Sequence, residues 1–145
     1  MKSSFEVHSV EETWGLAREF AKTLKPGDVV CLEGDLGAGK TTFTQGLAAA
    51  LGVPGRVNSP TFCIVQEHRG SVLLVHMDLY RLHGEDDVIA IGWEDYLAEG
   101  AILVVEWPER AGSLVPVTAK RIVFRHLGDE ENRLIVIDSG PENAV

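Results

Sequence analysis

The segment that most constrains the fold of this chain is a glycine-rich loop between a strand-like run and a helix-compatible run. It reads Gly34-Asp35-Leu36-Gly37-Ala38-Gly39-Lys40-Thr41. This matches G-x-x-x-x-G-K-[ST], the pattern of a phosphate-binding P-loop. The apolar run Val29–Leu32 precedes it, and residues 41–51 suit a helix. Because this strand–loop–helix order directs backbone N–H groups at phosphate oxygens, the sequence predicts an α/β domain that binds a nucleoside triphosphate.

The residue types in this loop match its predicted chemistry. Glycines at positions 34, 37 and 39 allow sharp turns and close backbone approach to an anion. Lys40 is predicted to reach the β- and γ-phosphates of the nucleotide, and the Thr41 hydroxyl is predicted to bind Mg²⁺.

Length, charge and cysteine content narrow the class of protein. A chain of 145 residues with 45% hydrophobic residues fits one globular domain, which we expect over residues 1–138, with a frayed tail at 139–145. No apolar run approaches a membrane span and no signal peptide is evident, so we expect a cytoplasmic protein that does not enter membranes. A net charge of −9 argues against tight binding of nucleic acid by the chain alone. Cys31 and Cys63 are predicted to be buried free thiols.

The rest of the chain predicts a mixed, mostly parallel central sheet flanked by helices, with antiparallel hairpins. Ser9 to Glu12 forms a capping box ahead of a first helix. Strands are expected over residues 5–7, 29–32, 62–67, 72–77, 101–105, 121–126 and 134–137. Residues 68–71 and 128–132 are expected to be hairpin turns, residues 86–91 and 93–98 short helices, and residues 108–111 a short helix or loop.

Two acidic residues follow apolar strands and are candidates for the catalytic and metal-binding carboxylates. Asp78 comes after the run 72–77, and Glu106 after the run 101–105. Nucleotide hydrolysis needs an acidic group in the magnesium–water shell and a group that orients the attacking water. The residues alone do not say which carboxylate has which role, and either one can instead cap a helix or form an ion pair.

Three further side chains are candidates for the site. Ser59 and Thr61 lie in the Pro-rich loop after the P-loop helix, a region that often senses the γ-phosphate in P-loop hydrolases; the alternative is a proline-stiffened turn. Trp107 follows Glu106; the residues alone favour packing in the core, and the alternatives are that it stacks on a base or seals the site.

No arginine is clearly placed to stabilise a transition state. Arg81 and Arg110 follow the candidate carboxylates and Arg56 is a weaker candidate for phosphate, so we expect slow hydrolysis by the isolated chain. The absence of an N-K-x-D motif favours ATP over GTP, and the absence of an arginine-rich lid argues against a small-molecule kinase.

Four blocks together resemble the TsaE (YjeE) family, the ATPase subunit of bacterial tRNA threonylcarbamoyladenosine synthesis. These blocks are the P-loop extended to Thr42, Ser59–Phe62, His76–Arg81, and Glu106-Trp107. The P-loop alone is common to many families, whereas H-x-D-L-Y-R followed by E-W is far more specific. The resemblance covers about residues 5–125.

The resemblance implies ATP hydrolysis with Mg²⁺ in the modification of adenosine 37 of tRNAs that read ANN codons. It implies a heterodimer of TsaB and TsaD as partner, with tRNA held through that complex. It assigns phosphate and metal roles to Lys40 and Thr41, and a place beside the nucleotide to Trp107. It also assigns the switch-like loop to Ser59 and Thr61, and acidic site roles to Asp78 and Glu106. A nucleotide-gated binding module, in which hydrolysis is incidental, is the alternative reading.

Overall fold

The computed structural model describes residues 2–34, 39–53, 64–128 and 132–140. In this part of the chain, strands β1 to β7 are Lys2–Val7, Val29–Gly34, Val65–Arg69, Leu73–Asp78, Ile102–Glu106, Lys120–His126 and Arg133–Asp138. Helices α1 to α4 are Val10–Ala21, Lys40–Ala50, Glu85–Ala90 and Trp93–Ala98, and a 3-10 segment covers Pro108–Leu114.

The strands form one mixed sheet in the order β1-β7-β6-β2-β5-β4-β3. The neighbours β6, β2, β5 and β4 run parallel, whereas β3 and β7 pair antiparallel with β4 and β6, and β1 pairs antiparallel with β7. The predicted α/β class and the mixed sheet with a parallel centre are therefore confirmed. The sequence had shown β6 only as part of a hairpin, whereas it also extends the parallel centre beside β2.

Helices cover both faces of the sheet, which explains why β2, β4 and β5 each begin with a continuous apolar run. Helices α1 and α2 pack on one face through Phe20, Phe43 and Leu47. On the opposite face, Val88 and Trp93 of α3 and α4 pack with the 3-10 segment. Cys31 of β2 lies fully buried there as a free thiol, as predicted, whereas Cys63 lies outside the described residues. None of the helices in the described ranges has the length and apolar character needed to cross a membrane.

Several strands extend further than the apolar pattern predicted. Asp78 and Glu106 are the last residues of β4 and β5 rather than residues that follow them. His68 and Arg69, predicted to lie in a turn, belong to β3 because the ladder with β4 continues to the pair Arg69↔Leu73. Backbone hydrogen bonding between strands does not require apolar side chains. The strands therefore remain paired beyond the last apolar residue of each run.

The first helix begins as the capping box predicts, with one difference. The Ser9 side chain accepts a hydrogen bond from the Glu12 backbone N–H at 3.1 Å. The Glu12 carboxylate accepts from the backbone N–H of His8 at 2.8 Å, one residue before the usual position.

Candidate functional site

Helix α2 presents its N-terminus at the end of the sheet where the parallel strands terminate. Phe43 and Leu47 are fully buried and fix the helix against the sheet. Gly39, the residue before the helix, has φ of 105° and makes no side-chain capping hydrogen bond. Because Gly39 has no side chain that could cap the helix, the first turn of α2 leaves backbone N–H groups that can bind an anion.

The packing of the sheet, as well as close approach to phosphate, explains why residue 34 is glycine. It ends β2 with φ of 136°, and a Cβ atom there would overlap the backbone of Phe124 in the neighbouring strand β6. Glycine at this position therefore lets β6 pack against the strand that leads into the loop.

Lys40 lies beside one of the two predicted carboxylates. Its Nζ atom is 3.7 Å from Oε1 of Glu106 and donates a long hydrogen bond of 3.4 Å to the Gly34 carbonyl oxygen. The closeness follows from the sheet order, because β5 is the direct neighbour of β2, from which the loop leads into α2. The ammonium group thus has no short partner among the described residues and is available for a stronger anionic one.

Asp78 and Glu106 lie side by side at the ends of adjacent strands. They are paired in the parallel register of β4 and β5, so their side chains project from the same face, the face that α2 covers. Asp78 is half-buried, and its Oδ1 accepts a hydrogen bond from the Tyr80 backbone N–H at 3.1 Å. Asp78 therefore stabilises the turn after β4 and caps none of the described helices, while Glu106 forms an ion pair with Lys40, one of the alternative roles expected of a strand-end carboxylate.

His76 is part of this cluster, although sequence reasoning did not select it. Its Nε2 atom is 2.8 Å from Oε2 of Glu106, and the residue is fully buried. Burial raises the pKa of the Glu106 carboxyl, but the hydrogen bond and charge of His76, together with Lys40, outweigh it and hold that pKa below its usual value. The signal available in the sequence was the spacing His76-x-Asp78, which places both residues on one face of a strand.

Trp107 lies at the rim of the cluster and not in the core. Its side chain is 40% exposed, and its ring centroid is 4.9 Å from that of Tyr80. The backbone of Trp107 has φ of 58° and ψ of 52°, the left-handed conformation. This turn leads the chain out of β5 immediately after Glu106.

The arginines proposed from the sequence are not paired with the carboxylates. Neither Arg81 nor Arg110 forms an ion pair with Asp78 or Glu106; Arg81 is exposed, and the Nε atom of Arg110 is buried without a hydrogen-bond partner. Thr41 and Thr42 lie half-buried in the first turn of α2. The predicted site residues Asp35, Leu36, Gly37, Ala38, Ser59 and Thr61, and Arg56, lie outside the described residues.

The described cluster unites an open helix N-terminus, a lysine and two carboxylates. Backbone N–H groups and an ammonium suit phosphate oxygens, and carboxylates with a nearby hydroxyl suit a hard divalent cation. That donor set fits a metal-complexed nucleoside triphosphate.

Comparisons with known proteins give one consistent result. The family model described as "Threonylcarbamoyl adenosine biosynthesis protein TsaE" matches residues 7–135. A relative from Bacillus subtilis (strain 168), named tRNA threonylcarbamoyladenosine biosynthesis protein TsaE, is 45% identical over 125 residues, which cover 86% of this chain and 78% of the relative. One of the same name from Treponema pallidum (strain Nichols) is 37% identical, with coverage of 85% and 90%. The crystal structure of Bacillus subtilis YdiB superposes with a TM-score of 0.79 at 34% identity, covering 97% of this chain and 87% of that one.

Proposed function

Because this chain belongs to the TsaE family, whose members take part in tRNA threonylcarbamoyladenosine biosynthesis, we propose that it binds and hydrolyses ATP with Mg²⁺ in that pathway. The observation that carries the proposal is the position of Lys40, at an uncapped helix N-terminus and 3.7 Å from a carboxylate at a strand end. The described residues support the P-loop interpretation with geometry as well as sequence.

The nucleotide is held by the loop that leads into α2. Lys40 contacts the β- and γ-phosphates, and the backbone of residues 34–39, with Thr41 and Thr42, surrounds them. Trp107, exposed at the rim, stacks on or covers the nucleotide. Bound Mg²⁺ polarises the phosphoryl oxygens, and its protein oxygen ligands come from Thr41 and from Glu106 or Asp78.

Asp78 and Glu106 are the catalytic carboxylates in this proposal. One is associated with the metal and the other orients the attacking water. Their pairing in register on neighbouring strands supports joint action at one centre. Ser59 and Thr61 belong to a switch-like loop that responds to the γ-phosphate. All of these residues fall within a single ATPase domain, residues 1–138.

The partner in this proposal is the TsaB–TsaD heterodimer, which carries out transfer to adenosine 37 of tRNAs that read ANN codons. The net charge of −9 supports tRNA contact through that complex and not through this chain alone. The protein acts in the cytoplasm, where tRNA is modified.

A nucleotide-gated assembly module is the second candidate. The observation that favours it is the lack of an arginine beside the carboxylates in the described part of the site, since a transition-state arginine contributes about 10³–10⁵ in rate. In that case ATP occupancy drives assembly with the partners and hydrolysis is incidental.

The deciding experiment measures ATP turnover of the purified chain, alone and with the TsaB–TsaD pair, while tRNA modification is scored in parallel. We expect a low basal rate that rises with the pair, together with multiple rounds of modification. Asp78→Asn and Glu106→Gln should bind ATP normally and lose both turnover and repeated modification. If these variants lose turnover but still sustain repeated modification, the gated module is the correct function.

A further inference from the structure

The two carboxylate oxygens of Glu106 have different partners. Oε2 is 2.8 Å from Nε2 of His76, whereas Oε1 is 3.7 Å from Nζ of Lys40. The first contact is a buried hydrogen bond, and the second exceeds hydrogen-bonding distance. The carboxylate is therefore held through one oxygen and presents the other toward the P-loop lysine.

The sheet register explains why the histidine reaches this carboxylate. His76 is paired with Val104, and Glu106 lies two residues further along β5 on the same face. With strands about 4.8 Å apart and a rise of about 3.3 Å per residue, such diagonal neighbours lie roughly 8 Å apart, within reach of long side chains. The contact is thus set by two central strands and not by a loop.

The hydrogen bond has a defined direction. An ionised carboxylate only accepts hydrogen bonds, so Nε2 of His76 carries the hydrogen and donates it. The other ring nitrogen, Nδ1, is buried and has no hydrogen-bond partner. Among the residues that the structure describes, Glu106 is consequently the one side-chain partner that fixes the ring orientation of His76.

Lys40, the partner of Oε1, can move to another anion, whereas His76, the partner of Oε2, cannot. A P-loop lysine turns to the phosphates when nucleotide is present, which leaves Oε1 free of its 3.7 Å contact. His76 lies in the sheet core and has no such competing ligand.

We propose that His76 is a positioning residue: by holding Oε2 of Glu106, it keeps Oε1 directed at the nucleotide and metal. The inference rests on the proposed ATPase function. A histidine that only fills the core would matter for stability but not for the orientation of the carboxylate.

The test compares His76→Gln, which keeps an N–H donor near the position of Nε2, with His76→Leu, which removes it. His83→Leu is the control, since His83 is exposed and its backbone N–H donates to Asp87 and not to a residue of the cluster. Kinetics are measured with the TsaB–TsaD pair, and ATP affinity is measured separately by equilibrium binding. We expect His76→Leu to lower kcat at least tenfold with ATP affinity within twofold of wild type, His76→Gln to recover most of that loss, and the control to be unaffected.

A double variant separates positioning from structure. Because Glu106→Gln is expected to retain only a residual rate, the cycle is measured in single-turnover experiments with enzyme in excess over ATP. If His76 acts through Glu106, adding His76→Leu to Glu106→Gln should change that residual rate by less than twofold, because the partner is already altered. A full tenfold further loss, or wild-type kcat in His76→Leu, would overturn the proposal. If His76→Leu does not fold, His76→Met, which also removes the N–H donor, takes its place in the same cycle.

A spectroscopic measurement tests the pair without nucleotide. In long-range ¹H–¹⁵N spectra of the ¹⁵N-labelled chain, we expect His76 with a protonated Nε2 whose chemical shift changes in Glu106→Gln. An unchanged His76 spectrum in that variant contradicts the hydrogen bond. Failure of the wild-type chain to bind ATP would instead refute the proposed function, while this spectrum would still report on the pair.

Discussion

Replacement of Trp107 by alanine and by glycine provides a direct test of the backbone at the rim of the site. Trp107 has φ of 58°, the left-handed region that costs an L-residue about 1–2 kcal/mol. Glycine avoids this strain, but it loses about 0.4–1 kcal/mol relative to alanine through the entropy of the unfolded chain. The difference between these two effects predicts that Trp107→Gly is more stable than Trp107→Ala, with a free energy of unfolding about 1 kcal/mol higher.

Trp14 is the matched control for this comparison. Its side chain is also 40% exposed, but it lies inside helix α1. In a helix interior, alanine is more stable than glycine by about 0.8–1.0 kcal/mol. At position 107 the glycine variant should have the higher free energy of unfolding, and at position 14 the alanine variant should. The difference between the two variants therefore changes by about 2 kcal/mol from one position to the other.

Urea denaturation followed by far-ultraviolet circular dichroism measures both differences. With m of about 1–3 kcal/mol/M, a difference of 1 kcal/mol moves the midpoint by about 0.3–1 M. Both Trp107 variants lack the indole and should lose ATP affinity equally, which separates backbone strain from ligand contact. If Trp107→Ala equals or exceeds Trp107→Gly in stability, the left-handed turn after Glu106 does not strain the chain.

Three further outcomes follow from the structure. Lys40→Ala should abolish ATP turnover, because the loop loses its positive charge on the β- and γ-phosphates; retained turnover would refute the site assignment. Burial raises the pKa of the Cys31 thiol to about 11, so its contribution to stability is full below pH 9 and falls as pH rises toward 11. Comparing the unfolding free energy of wild type and Cys31→Ala from pH 8 to 11 isolates this loss, and parallel curves would contradict it. Phe43→Ala should reduce the free energy of unfolding by about 3–5 kcal/mol, because Phe43 is fully buried and its ring lies 5.6 Å from that of Phe124. A loss below 1 kcal/mol in a urea titration would show that the α2 interface is looser than described.

Local patterns predicted most of the elements of this fold. The apolar run before Gly34 and the helix after Gly39 are both present, and α2 extends over Lys40–Ala50, one residue earlier than expected. Such features depend on periodicity and on glycine, which act within a few residues. Strand ends were less well predicted, because the ladders that extend β3 to Arg69 and pair Asp78 with Glu106 depend on backbone hydrogen bonds between strands and not on apolar side chains.

The sequence by itself determined that this chain has the P-loop motif, two carboxylates after apolar runs and an α/β core, because each of these is encoded in consecutive residues. Only the tertiary structure decided that Glu106 lies beside Lys40, since that depends on β5 and not β4 being the neighbour of β2. The structure alone also placed His76 against Glu106 and Trp107 at an exposed left-handed turn. These relations arise from sheet order and register, which are fixed by packing across the whole domain and not by any local pattern.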